Sequence, residues 1–167
     1  MTNIASRVDF CNAILAGSPR SMTDKLQRLM NAAARLVTGT HKFVHGLSRL
    51  LHDDLHWLDV PERIQYKIGV TVHCSLQSKA PKYLTDGLLR SSLRYCQPTP
   101  STLDQLTSPI CTTLPAQYLQ RRAFSVTGPT VWNSLSGSLR DPAVNGSNFR
   151  RLLETTLFII TIIKCTD

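Results

Sequence analysis

The chain has 167 residues, 42% of them hydrophobic and 18% charged, which is enough apolar material for a core and too little charge for a long solvated coiled coil. Lys and Arg number 19 against 11 Asp and Glu, a net charge of +8; that balance favours a polyanionic partner such as nucleic acid or an anionic membrane surface. The longest nearly uninterrupted apolar run, Leu157 to Ile163 with Thr161 inside it, falls short of the roughly 20 residues of a membrane span, and no apolar signal segment follows Met1, so neither a membrane partner nor secretion is expected.

The first segment, from about Asn3 to Ala16, places Ile4, Val8, Cys11 and Leu15 on one helical face. Gly17 and Pro19 then stop it. Ser21 with Asp24 reads as a capping arrangement for a second helix. Its stripe is Leu26, Leu29, Met30, Ala33, Leu36 and Val37, its core Ala32-Ala33-Ala34 favours helix, and Gly39 ends it. Leu47, Leu50 and Leu51 suggest a short helix after Gly46. Asp59, Val60-Pro61 and Glu62 form a strong helix start, followed by a ridge of Val60, Ile64, Ile68, Val72 and Leu76. Leu29, Ala33 and Leu36 of the second helix are expected to pack on Ile64, Ile68 and Val72.

Periodicity fades between Ser78 and Gln120, where five prolines stand among many Ser and Thr residues. Ala123 to Val126 reads as a short strand or extended segment, and Gly128-Pro129 as a turn. Val131, Trp132, Leu135 and Leu139 suit a short helix, Asp141-Pro142 a break, and Phe149, Leu152, Leu153 and Leu157 a last amphipathic helix with Ser147 as its cap. The expected fold is mainly α: a small helical bundle over 1–80, an irregular linker over 81–120, a C-terminal helical segment over 121–160 and a tail over 161–167.

Few residues suggest chemistry. His52 and His56 are four apart with Asp53 after the first, a spacing that can hold zinc on a helix, yet no third ligand is evident and a polar helix end is the better reading. His41 and His45 share the spacing, with Gly46 after them. Asp53-Asp54 is an adjacent carboxylate pair, but lacks the strand hairpin that holds such pairs in two-magnesium sites. Phosphate-binding glycine loops and a nucleophile elbow are absent. His73 and Cys74 are neighbours on a helix and point apart. No catalytic residue, metal ligand or cofactor is therefore assigned. Five scattered cysteines (Cys11, Cys74, Cys96, Cys111, Cys165), with no Cys-x-x-Cys pair, fit reduced thiols in an intracellular compartment, nucleus or cytoplasm. Lys25, Arg28 and Arg35 share a helix face opposite the apolar stripe, Arg121-Arg122 precede Phe124, and Arg150-Arg151 lie on the last helix.

Five collinear stretches resemble LINE-type (non-LTR) retrotransposon reverse transcriptases. Ser6-Arg7-Val8-Asp9-Phe10-Cys11-Asn12 is similar to the segment that follows the catalytic palm in that family. Leu26-Gln27-Arg28 with Asn31-Ala32-Ala33-Ala34-Arg35 and Gly39-Thr40 is similar to a second block. Leu55-His56-Trp57-Leu58 with Pro61-Glu62-Arg63-Ile64 and Lys67 resembles a third, and Ala80-Pro81-Lys82-Tyr83-Leu84 a fourth. Arg122-Ala123-Phe124-Ser125-Val126, Gly128-Pro129 and Trp132-Asn133-Ser134-Leu135 resemble the fifth. The chain departs from the family pattern over Thr85 to Gln120, where Thr107 to Gln120 holds no basic residue, and at Ser136, where Pro is usual.

The resemblance implies the thumb and the region after it of an RNA-directed DNA polymerase from a transposable element. The family's Ala-Asp-Asp box, and the magnesium it binds, belong to a palm upstream of all five stretches. Residues 1–80 would be a thumb-like bundle that meets RNA or DNA duplex through phosphates and packs on a palm domain outside this sequence. Lys25, Arg28, Arg35, Arg121 and Arg122 are the expected nucleic-acid contacts. On this reading the chain is a truncated remnant with no catalysis of its own and at most weak, sequence-independent binding. The alternative is a helical protein-interaction or structural module, or a decayed reading frame with no role.

Overall fold

A computed structural model describes residues 2–10, 12–41, 47, 50–86, 88 and 124–166. The fold is mainly α, as expected, with no strand among the described residues. Among the described residues the bounded α-helices are α1 (Thr2–Asp9), α2 (Arg20–Thr38), α3 (Val60–Leu76), α4 (Phe124–Ser134) and α5 (Gly146–Thr166). A short 3-10 helix (Asn12–Leu15) and one π turn (Leu50–Asp54) lie between them. Residues 82–86 are also helical. Most of the Pro/Ser/Thr-rich middle, and with it Arg121 and Arg122, lies outside the described residues.

The chain forms two compact units, residues 1–64 with 154–167, and residues 65–153. The first buries Ala16, Met30, Ala33, Ala34, Leu51, Val60, Ile64 and Leu157. The second buries Ile68, Val72, Leu88, Trp132, Leu139, Phe149 and Leu153.

Local chemistry explains most element ends. Gly17 takes the left-handed conformation at φ +67, and Gly39 does the same at φ +66, its N–H donating to the Arg35 carbonyl as an αL cap. Asp59 stands before the first residue of α3, and its carbonyl accepts the Arg63 N–H at 3.0 Å. Pro61 and Glu62 fill the first turn, where a missing donor costs nothing and a negative charge suits the helix dipole.

Elsewhere the structure corrects the sequence reading. The first helix stops at Asp9 rather than running to Ala16. Asn12 Nδ2 donates back to Asp9 Oδ1 at 3.5 Å, side chain to side chain across the helix end. Helix α2 begins at Arg20, with Pro19 at the cap and no side-chain cap, so Ser21 is already helical. Asn145, not Ser147, caps α5: its Oδ1 accepts from the Asn148 N–H at 2.9 Å and from Ser147 Oγ at 2.8 Å. Phe124–Ser134 is one helix, replacing both the strand over 123–126 and the Gly128-Pro129 turn. Both residues of that pair are buried, and a Cβ at Gly128 would stand 3.1 Å from Val72 Cγ2 and 3.2 Å from Leu88 Cδ2. Glycine there permits close packing rather than a turn. Finally, α5 stays helical past residue 160; Thr161 is buried there, its hydroxyl satisfied by the Leu157 carbonyl at 2.8 Å.

Candidate nucleic-acid interface

Of the five expected contact residues, three are described, all on α2. Lys25 and Arg28 are exposed. Arg35 is half-buried, and its Nε is enclosed without a hydrogen-bond partner. Exposed Asp24 lies one turn from Arg28 and dilutes the local positive charge.

The helix is rotated relative to expectation. Leu29 is 60% exposed and Leu36 80%, whereas Met30, Ala33 and Ala34 are buried. The apolar stripe of α2 spans a wide arc, and the first unit uses its Met30–Ala34 edge. At about 100° per residue, Lys25 falls beside the exposed Leu29 and Leu36, while Arg28 and Arg35 lie about a quarter turn or more further round the helix, near Asp24. The expected packing through Leu29 and Leu36 is thereby overturned; Ala33 and Ile64 are buried in the first unit, Ile68 and Val72 in the second.

Several residues of the resembling blocks are joined by polar contacts that sequence reasoning missed. Arg63 Nη1 donates to both carboxylate oxygens of Asp9 at 2.9 Å, and Arg63 Nε donates to the Leu58 carbonyl at 2.8 Å. Gln27 Oε1 accepts the Val60 N–H at 2.9 Å, and its Nε2 donates to Asp59 Oδ1 at 2.8 Å and Asn31 Oδ1 at 3.0 Å. Glu62, buried, accepts from Lys164 Nζ at 2.8 Å. Burial pushes the Asp59 carboxyl above its ordinary value, with His52 opposing, Glu62 adding to the rise, and Gln27 and Lys164 opposing it. No periodicity reports such contacts, and Gln27 stands among Asp24, Lys25, Arg28 and Asn31, so nothing in the sequence singles it out.

His52 and His56 do not face a common point as ligands. His52 is buried, its Nδ1 donates to the Trp57 carbonyl at 2.8 Å, and its Nε2 lies 3.8 Å from Asp59 Oδ2. His56 is exposed at φ +50, and both rings approach Phe158, at 6.4 and 5.9 Å between centroids. Asp53 and Asp54 are exposed on the π turn. Among the described residues no three His, Cys, Asp or Glu side chains gather as metal ligands, and no helix is long and apolar enough to cross a membrane. His45 lies outside the described residues, and His41 is exposed. Cys74 is a free, half-buried thiol.

In the second unit His73 is buried and stacks on Phe149, with centroids 4.1 Å apart and planes 10° from parallel. Its Nε2 lies 3.3 Å from the Val144 carbonyl. Burial lowers its pKa, the Val144 bond opposes that, and Lys79 and Arg150 add to it. A neutral, stacked imidazole with a carbonyl partner is a packing group.

Comparison with family models, curated proteins and solved structures finds no match.

Proposed function

We propose that the chain is a piece of a LINE-type reverse transcriptase from the thumb and post-thumb region, carrying no polymerase chemistry, and that it meets nucleic acid weakly through phosphates. The family reading rests on the five collinear sequence stretches, and the helical fold is consistent with it. The observation that carries the binding reading is that Lys25 and Arg28 stand exposed, one turn apart, on α2. Two free cations are few. Counterion release gives a log–log salt slope of about −0.9 per phosphate on duplex DNA, hence about −1.8 from this pair, with Arg35 adding to it only where its guanidinium tip reaches a phosphate. Such contacts carry no base information, so different duplex sequences lose affinity alike on mutation. Fluorescence anisotropy with a labelled RNA–DNA hybrid at low salt tests this. The Lys25→Ala, Arg28→Ala double variant should bind more weakly with a shallower slope; unchanged affinity and slope in a folded variant defeat the reading.

The second reading, a helical protein-interaction module, is favoured by a separate observation: Phe10, Ile14, Leu29 and Leu36 are all largely exposed in one unit. Contiguous apolar surface of this kind marks interaction sites more often than scattered exposed residues do.

A further inference from the structure

Within the first unit, the ring of His52 holds the connector 55–59, between the π turn and α3, at two points. Its Nδ1 lies 2.8 Å from the Trp57 carbonyl, and its Nε2 faces Asp59 Oδ2 at 3.8 Å. The Trp57 N–H adds a backbone tie to the Leu51 carbonyl at 2.9 Å. Between these ties His56 takes φ +50, a left-handed backbone that a residue with a side chain adopts only at a cost. The connector therefore keeps its path through its ties.

A carbonyl oxygen can only accept, so His52 Nδ1 carries a proton. In a neutral imidazole, Nε2 then presents a lone pair. That nitrogen is enclosed and has no hydrogen-bond partner. What faces it is a carboxylate oxygen, a second acceptor. Two acceptors turned toward each other inside a fold, with no proton between them, are an arrangement that folded proteins avoid. A proton on Nε2 removes the conflict. Imidazolium then meets carboxylate at ion-pair distance, and a movement of about 1 Å closes a charge-assisted hydrogen bond.

We infer that His52 and Asp59 hold one proton between them at neutral pH, carried on Nε2, and that its loss as pH rises releases the connector, a latch that opens on the alkaline side. The surroundings leave the pair to itself. Among the described residues, the other charged groups acting on Asp59 are Glu62 of α3 and Lys164 of α5. They are opposite in sign and joined to each other at 2.8 Å, so their fields oppose. Helix α2 presents the neutral Gln27 amide, which donates to Asp59 Oδ1 and leaves Oδ2 to His52. Helix α5 also sets Phe158 edge-on to the His52 ring. Arg63 is held by Asp9 and the Leu58 carbonyl, and Asp53, Asp54 and His56 are exposed. Burial lifts the Asp59 carboxyl above its ordinary value, which also favours a proton at this pair. An unfolded imidazole loses its proton near about pH 6.5. Above that pH the folded chain holds a proton that the unfolded chain lacks, so stability from the pair is complete below it and declines as pH rises.

The test is ring-nitrogen NMR of the full chain labelled with nitrogen-15, with His52 assigned by backbone-to-ring correlations. At pH 7.5, where an ordinary imidazole is about nine-tenths neutral, both nitrogens of His52 should carry protons. The companion variant is Asp59→Asn, which keeps an acceptor for Gln27 and turns an amide donor toward Nε2. In that variant a neutral ring is satisfied, and Nε2 should show a lone pair at the same pH. Denaturant unfolding between pH 6.5 and 9 supplies a second readout. Relative to Asp59→Asn, the unfolding constant of the parent should rise by up to about tenfold for each pH unit over which the proton is lost. Hydrogen-exchange protection of the Trp57 N–H should fall over the same range in the parent more than in the variant. A lone pair on Nε2 of the parent at pH 7.5, parallel unfolding profiles, or equal loss of Trp57 protection in the two chains would each overturn the inference.

Discussion

Gln27 caps a helix it does not belong to: its Oε1 accepts the Val60 N–H, the first of α3, at 2.9 Å, from 33 residues upstream. The same amide donates to Asp59 Oδ1 and Asn31 Oδ1, so every polar atom of the side chain is used. Side chains that cap helix donors locally contribute about 1 kcal/mol. Here the cap also ties α2 to the start of α3. Gln27→Ala should cost about 1–2 kcal/mol in urea unfolding, since it strands the N–H of buried Val60 and removes a partner of the half-buried Asp59 carboxylate. Its bond to Asp59 is also one of the influences that keep that carboxylate ionised against burial. The loss should therefore be larger at neutral pH than in acid, where Asp59 is protonated. A Gln27→Ala chain as stable as the parent would show the cap to be replaced by water.

Arg63 and Asp9 make the second long-range tie. The Arg63 side chain is 12% exposed and Asp9 42%, so the pair is only partly shielded and its worth must be discounted for solvent. Asp9→Ala leaves a largely enclosed guanidinium with only its bond to the Leu58 carbonyl. A loss of about 1–2 kcal/mol is expected, against a smaller one for Asp9→Asn, which keeps an acceptor. Equal stability of all three chains in thermal melts would show that the pair contributes nothing.

His73 sets a pH dependence with a definite sign. Its folded pKa lies below the ordinary 6.5 because the site resists charge. Between the two values the unfolded chain binds a proton that the folded chain refuses. Stability from this group is thus complete above pH 6.5 and declines as pH falls below it. His73→Phe keeps the stack on Phe149 and removes the titration. Relative to that variant, the parent should lose stability as pH drops from 7 to 5, measured by denaturant midpoint. Parallel profiles would show that His73 titrates alike folded and unfolded.

Backbone chemistry made some of this legible from sequence and left the rest hidden. Gly39 and the Asp59-Val60-Pro61-Glu62 start act within a few residues, so the helix end and the helix start read there hold, whereas Gly17 follows a 3-10 turn and not the helix it was read to stop. Gly128-Pro129 carries the same local signal for a turn, yet the close approach of Val72 and Leu88 holds it inside α4. A tertiary contact overrides a local preference there. The candidate site was legible to the same degree. The exposure of Lys25 and Arg28 follows from their spacing. The half-burial of Arg35 and the exposure of Leu29 do not, because a stripe of six apolar residues allows more than one edge to face the core. The Gln27–Val60 and Asp9–Arg63 ties span 33 and 54 residues, beyond any periodic pattern.

That choice of edge gives the sharpest stability prediction. Leu29 and Met30 are sequence neighbours of similar size and helix propensity. Yet Leu29 is 60% exposed and Met30 1%. An aspartate at position 29 keeps its hydration, so Leu29→Asp should change stability by no more than about 0.5 kcal/mol beyond its helix-propensity cost. An aspartate at position 30 would be a buried, unpaired charge beside Ala33 and Ala34, and Met30→Asp should cost several kcal/mol, enough to unfold a domain of ordinary stability. Circular dichroism melts of the two variants decide it. If Leu29→Asp melts as low as Met30→Asp, the Leu29 edge of α2 is part of the core.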